Sequence, residues 1–449
     1  MPLNPIAMKS LKHPARLVPI AFLVVIALGT LLLMLPAARA GAGSAPPLTA
    51  LFTATSAVCV TGLVVRDMAT YWSSFGHAVI LALVQIGGFG IMSGATLLSL
   101  LVTRRLRLST RLIAQSETRG LALGDVVAVL KLVLGVTVAM EAMIALVLTL
   151  RLRFGHDEPW MDAIWNGVFQ SVSAFTNAGI ASYSEGMVRF AADPVVLVSI
   201  MLGVIVGGIG MPVLHDLRQQ PRNPGRWSLH TKITLLGTAV LLPAGMLATL
   251  LFEWNNPGTL GALDAPGRVL NALFHSVMAR SGGFNSVDVG QMRTETLSVT
   301  YGLMLIGGGS ASTAGGIKVG TFIILILIVW AEVRGEPDSI AFGRRVATDT
   351  QRQAITIALM AVGMVCTGTL LLLSLSGLPL RDAVFETISA FATVGLSTGV
   401  TPTLPPAAQG LIIVLMFVGR VGTITVAAAL ALRGRQNPFR YPEERPIVG

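Results

Sequence analysis

The sequence predicts an all-α integral membrane protein in which four helix–pore-loop–helix repeats stand in pseudo-fourfold arrangement around one pore. Three observations carry this reading. Only 12% of the 449 residues are charged and 53% are apolar, whereas a soluble domain carries roughly a quarter charged residues. Several apolar stretches exceed the ~20 residues that cross a hydrocarbon core of about 30 Å. Two short motifs recur four times along the chain, always in the same order.

The first motif runs Leu51–Leu63, Val168–Ile180, Leu273–Phe284 and Val384–Leu396. Each copy opens on a Phe (Phe52, Phe169, Phe274, Phe385) and closes on a Gly (Gly62, Gly179, Gly283, Gly395). Four residues after the Phe stands Ser56, Ser173, Met278 or Ser389, then an Ala; the third copy is one residue shorter. The second motif is Gly87–Gly90, Gly207–Gly210, Gly307–Ser310 and Gly419–Gly422, each inside an apolar run and 24 to 28 residues beyond the first. A repeat of about 110 residues follows. It divides the chain into residues 1–103, 104–214, 215–332 and 333–432, with a tail at 433–449.

Each unit opens with a spanning helix: Leu17–Leu35, Val126–Leu150, Thr231–Phe252 and Ala354–Leu375. The apolar run after Lys9, Lys12 and Arg16 is too long for a signal-peptide core of 7–15 residues, so it is expected to stay as the first helix. Each unit closes with a second helix: Ala78–Val102, Val195–Leu214, Leu297–Trp330 and Leu411–Leu432. The motif between them is too short to span. Non-helical backbone at membrane depth is tolerated only where protein or a watery cavity satisfies it, so each motif reads as a re-entrant loop. Twenty Lys and Arg fall in the termini and alternate loops, against eight in the opposite loops. The positive-inside rule then puts both termini in the cytoplasm of a multi-pass protein in the cytoplasmic membrane. It also accounts for the net charge of +10 without nucleic acid as a partner.

A dehydrated cation needs several oxygen ligands and no counter-charge strong enough to trap it, and rings of backbone carbonyls supply this. Thr393, Val394 and Gly395 keep the first three residues of the Thr-Val-Gly-Tyr-Gly filter of tetrameric potassium channels. Val60, Thr61 and Gly62, Asn177, Ala178 and Gly179, and Ser281, Gly282 and Gly283 keep the position of the glycine alone. Without the Tyr-Gly that follows in channels, a shorter filter of moderate potassium selectivity is expected. Nothing resembles a nucleophile triad or a metal cluster, and the two cysteines and six histidines are scattered. The chain does not read as an enzyme.

These motifs and the fourfold helix–loop–helix pattern resemble the Trk/Ktr/HKT superfamily of potassium transporters, and the KtrB type within it, over nearly the whole chain. The tail from Tyr441 to Pro446 is also similar to that type. The resemblance implies potassium uptake through the loops named above. Potassium is the transported ion, sodium a candidate activator, and the chain itself holds no cofactor. It further implies a homodimer, a cytoplasmic ring of nucleotide-binding, RCK-type (KtrA-like) regulatory subunits, and membrane lipids as surroundings. Ser281 and Gly282 depart from the common Thr-Ala before Gly283, a change expected to matter little.

Gly307, Gly308, Gly309, Ser310, Ala311, Ser312, Thr313, Ala314, Gly315 and Gly316, followed by Ile317 and Lys318, interrupt an apolar run. Each Gly costs a helix about 1 kcal/mol relative to Ala. A phosphate-binding loop is excluded, because Ile317 separates Gly316 from Lys318. An unwound intramembrane segment remains, which the resemblance makes a gate. Arg420, mid-run in the last helix, is expected to face the pathway as a barrier rather than snorkel. Glu386 is expected to be structural, Arg280 to brace neighbouring loops, Lys131 to anchor a helix end and Glu141 to have a buried partner. Two other readings stay open: a sodium-selective or sodium–potassium-coupled transporter, which Gly62 disfavours, and a membrane sensor that no longer conducts.

Overall fold

The computed structural model describes residues 14–110 and 126–422. The tail motif Tyr441–Pro446, Lys9, Lys12 and the last helix beyond residue 422 lie outside them. The described residues are mostly helical, and among them one short antiparallel hairpin pairs Ile340–Ala341 with Arg344–Arg345.

In the first quarter, a long helix α1 (Pro14–Leu33) is followed by a short α2 (Pro47–Val58) and a long α3 (Ser74–Thr110). The second holds α4 (Val126–Gly155), α5 (Trp160–Phe175), α6 (Pro194–Ile209) and α7 (Met211–Gln219). The third holds α8 (Leu229–Glu253), α9 (Ala265–Ala279), α10 (Thr294–Leu305) and α11 (Val319–Arg334). The fourth holds α12 (Thr348–Ser376), α13 (Leu380–Phe391) and α14 (Pro406–Phe417), the last running into a π-turn at Val418–Gly422. Among the described residues, Leu130–Gly155, Leu229–Glu253 and Thr348–Ser376 are each long and apolar enough to cross a membrane, and α6 with α7 makes a fourth if counted as one span.

Each long helix packs on the short helix that follows it: α1 on α2, α4 on α5, α8 on α9 and α12 on α13. Between quarters, α3 meets α5, α6 meets α9, α10 meets α13 and α14 returns to α2. The repeated phenylalanines Phe52, Phe169, Phe274 and Phe385 are all buried at these junctions. In lipid no hydrophobic force separates helix faces from their solvent, so close packing and small residues must hold the bundle. The second motif supplies them. A β-carbon on Gly87, Gly207 or Gly419 would collide with the carbonyl oxygen of Val58, Phe175 or Phe391. Those carbonyls stand six residues after the repeated Phe of each quarter, at the end of the short helix.

One helix differs from the sequence reading, and another is interrupted where the Gly-rich run predicts. The run Val195–Leu214, expected as one helix, breaks at Gly210 and turns by 93°. Gly210 adopts φ 99°, open to glycine alone, and Pro212 opens the helix beyond it. The run Leu297–Trp330 parts into α10 and α11, with residues 306–318 between them outside any helix.

Candidate functional site

The four short helices each end in a loop of the same backbone form. Val60, Asn177, Ser281 and Thr393 have φ of 54°, 61°, 77° and 47°. Two residues later Gly62, Gly179, Gly283 and Gly395 have φ of 96°, 65°, 74° and 94°. The residue between keeps negative φ, and such alternation turns successive carbonyls to one side of the strand. Left-handed Val60 and Thr393 are β-branched, a placement that costs about 1–3 kcal/mol and persists only where surroundings enforce it.

The loops meet in a closed cycle. A β-carbon on Gly179 would stand 2.8 Å from the Gly282 carbonyl oxygen, and one on Gly283 would stand 2.7 Å from that of Val394. One on Gly395 would collide with the carbonyl of Thr61, and one on Gly62 with that of Ala178. Each loop thus presents the carbonyl before its own glycine to the glycine of the preceding loop, the first closing on the fourth. Eleven of the twelve residues of the four triplets are buried, and Gly179 is half-buried.

Three loops are braced by the serine of the first motif. Ser56 Oγ accepts from Gly62 N at 3.1 Å. Ser173 Oγ accepts from Ile180 N at 2.9 Å and donates to Ile180 O at 2.8 Å. Ser389 Oγ accepts from Gly395 N at 3.2 Å and donates to Leu396 O at 2.5 Å. In the third loop Met278 lacks a hydroxyl, and its backbone carbonyl takes Gly282 N at 2.8 Å and Gly283 N at 3.3 Å. Ser281 Oγ turns outward instead, donating to Thr393 O at 3.0 Å and accepting from Gly315 N at 2.9 Å.

The Gly307–Lys318 segment lies against these loops. Its neck is closed by Gly307 N to Ile317 O, 2.9 Å, and Val319 N to Gly308 O, 3.0 Å. Gly309 N donates to Gly208 O at 2.8 Å, Thr313 N to Gly207 O at 3.3 Å, and Met211 N to Ala311 O at 3.3 Å, so the segment seats on the break between α6 and α7. Thr313 Oγ1 donates to Asn177 Oδ1 at 3.0 Å. Ser312 Oγ donates to Gly309 O at 2.6 Å and Lys318 Nζ to Ala314 O at 2.5 Å. Ser310 alone at the tip is exposed, while Gly307–Gly309 and Ser312–Gly316 are buried.

Buried Arg420 sits on the π-turn and donates from Nη1 to Thr393 Oγ1 at 3.3 Å. Arg280 Nη2 donates to Gly307 O at 3.1 Å, the bracing contact expected of it. Glu386 accepts from Ser397 Oγ at 2.6 Å, Thr398 N at 3.1 Å and Thr401 Oγ1 at 2.6 Å, so it ties down the chain leaving the fourth loop. Gln85 Nε2 reaches Glu141 Oε2 at 3.1 Å. Among the described residues no group of His, Cys, Asp and Glu could hold a metal ion. Neither the bend at Gly210 nor the outward turn of Ser281 is among the sequence-based expectations. The Gly-Met-Pro sequence at 210–212 was the available signal for the bend.

Comparison with known proteins matches residues 7–437 to the TrkH family of cation transport proteins. The chain is 37% identical to Ktr system potassium uptake protein B of Bacillus subtilis, with 97% of each chain covered. It is 35% identical to Ktr system potassium uptake protein B of Vibrio alginolyticus, covering 97% of this chain and 94% of that one. It is 33% identical to the potassium/sodium uptake protein NtpJ of Enterococcus hirae, with 97% of each covered. The fold matches the crystal structure of the potassium transporter TrkH from Vibrio parahaemolyticus with a TM-score of 0.72 at 15% identity, over 91% of this chain and 83% of that one. A resemblance first read from four glycine loops thus extends along almost the full length, and the chain belongs to the TrkH/Ktr family of cation transport proteins.

Proposed function

We propose that this chain takes up potassium ions across the cytoplasmic membrane through a single pathway ringed by its four glycine loops. The observation that supports the reading is the closed cycle in which each loop's carbonyl faces the glycine of the preceding loop. Oxygen dipoles in such a ring replace the hydration shell of a cation without holding it by a full counter-charge. The ends of α2, α5, α9 and α13 lead into the four loops, and helix C-terminal dipoles favour a cation nearby. The names of the relatives from Bacillus subtilis and Vibrio alginolyticus point to potassium.

In this reading the Gly307–Lys318 segment closes the pathway on one side of the ring, and Arg420 adds a positive barrier beside it. Both termini face the cytoplasm. The chain works as a homodimer under a ring of nucleotide-binding subunits docked on its basic cytoplasmic loops. The name of the Enterococcus hirae relative favours one further reading, in which sodium is also carried or activates uptake.

Potassium and sodium flux into liposomes holding only the purified chain, each ion varied separately, tests the proposal. Flux favouring potassium supports it. Equal or sodium-favouring flux selects the second reading, and no flux from folded protein in any condition removes both. For the gate, Arg420→Ala is expected to raise potassium flux severalfold without regulatory subunits. Unchanged or lower flux from folded protein would count against a barrier at this position.

A further inference from the structure

The residue two positions before each loop glycine has the same left-handed backbone in all four loops, but its side chain differs in a patterned way. Asn177 accepts from Thr313 of the Gly-rich segment at 3.0 Å. Ser281 joins Gly315 N of that segment, 2.9 Å, to the Thr393 carbonyl of the fourth loop, 3.0 Å. Thr393 Oγ1 takes Arg420 Nη1 at 3.3 Å, and a β-carbon on Gly315 would collide with that same hydroxyl. In the first loop the position is Val60, whose side chain has no hydrogen-bonding group.

We infer that Asn177, Ser281 and Thr393 are positioning residues that bind the ion filter and the Gly307–Lys318 segment into one hydrogen-bonded unit, so that unseating the segment and reshaping the filter are a single event. The inference rests on the reading of these loops as an ion pathway. Ser281 is the centre of the unit. Its hydroxyl takes the segment's amide hydrogen bond on one side and restrains a carbonyl of the fourth filter triplet on the other. When the segment leaves, the hydroxyl loses its donor and is free to rotate, and the Thr393 carbonyl loses a fixed partner. Coupling of this kind is reciprocal: whatever occupies the filter also biases the segment.

The test compares Ser281→Ala with Ser281→Thr in the full chain. In liposomes, Ser281→Ala is expected to raise potassium flux without regulatory subunits about tenfold, the factor that about 1.4 kcal/mol represents. The sodium-to-potassium permeability ratio is expected to move toward one in the same variant. Ser281→Thr, which restores the hydroxyl, is expected to reverse most of both changes relative to Ser281→Ala. A rise in flux with selectivity unchanged, or neither change, overturns the coupling. Hydrogen–deuterium exchange in detergent reads the tie without any flux. Ser281→Ala should speed exchange of amides in 307–318 and in the fourth loop together, and exchange unchanged in either stretch overturns the inference. A parental chain that carries no selective flux would instead refute the ion-pathway reading, while exchange still decides whether the tie exists.

Discussion

The first and third glycine loops solve the same problem in opposite ways. The first is held from within: Ser56, four residues after the repeated Phe, caps Gly62 N through its own hydroxyl, and α3 passes unbroken behind it. The third is one residue shorter and carries Met278 in place of that serine, so its side-chain hydrogen bonds go to other parts of the chain. Ser281 reaches the fourth loop and the Gly-rich segment, and Arg280 reaches Gly307. The helix behind this loop is also unwound over a long stretch, between Leu305 and Val319, whereas the break behind the internally braced second loop is confined to Gly210. A loop held from within can keep its shape whatever its surroundings do. A loop held from outside must respond when they move, so the loss of the serine brace goes with the long unwound segment and not with a helix break as such.

The largest break in the comparison is expected at the cycle itself. In Gly62→Ala the new methyl would collide with the Ala178 carbonyl, at φ 96° where only glycine is at ease. Left-handed strain of about 1–3 kcal/mol adds to the overlap, and the first loop, held from within, has little room to yield. Potassium flux in liposomes should fall at least about a hundredfold, the factor that about 2.8 kcal/mol represents. Parental flux from a folded Gly62→Ala protein would mean that the ring need not close.

A smaller effect is expected at a brace. Ser389→Ala leaves the buried Gly395 N–H without its partner and removes the bond to Leu396 O. An unsatisfied buried donor costs about 1–3 kcal/mol. The variant should unfold earlier in detergent by that amount. It should lose potassium selectivity without the rise in flux expected for Ser281→Ala, because Ser389 Oγ is bonded within its own loop. A matching rise in flux would erase the distinction between internal and external bracing.

The internally held parts of the molecule were also the legible ones. The recurring Phe and Gly mark positions that do the same physical work in each quarter, as the recurring Ser does in three, and work repeated at a fixed spacing is visible in one dimension. Phe52, Phe169, Phe274 and Phe385 are all buried, and Gly87, Gly207 and Gly419 all lie on the carbonyl that ends a short helix. The unwinding at residues 307–318 was legible too, because so many glycines cannot hold a helix. The external ties were hidden. Ser281 and Gly315 are 34 residues apart, and Ser281 and Thr393 are 112 apart. The repeat aligns Ser281 with Thr393 but does not say that the hydroxyl of one reaches the carbonyl of the other, and nothing aligns Ser281 with Gly315. The 93° turn at Gly210 was missed because its neighbours are apolar and continue a helix-like run, while its seat is the carbonyl of Ser310 a hundred residues away.

The smallest effect is expected at a tie far from the loops. Asp193 caps α6 through Val195 N at 3.0 Å and Val196 N at 3.3 Å, and its other oxygen takes Arg151 Nε at 2.7 Å and His156 Nε2 at 2.8 Å. Burial by itself would raise this carboxyl, but the hydrogen bonds from His156, Arg151 and the helix amide outweigh it and hold it below its ordinary range. A depressed folded value means that the carboxylate contributes stability above the unfolded value of about 3.9, and that the contribution fades as pH falls through the lower folded value. Asn caps a helix nearly as well as Asp, so Asp193→Asn keeps the cap and removes only the charge. Near neutral pH the loss in unfolding free energy should be under about 1 kcal/mol, since Arg151 is 40% exposed and solvent screens the pair. Once the pH falls below the lowered folded value, the variant and the parent should converge. Potassium selectivity should not move, because this carboxylate joins α4 to α6 and not one glycine loop to another. A change in selectivity here would extend the externally held region to the rim of the second quarter and would blur its boundary with the first.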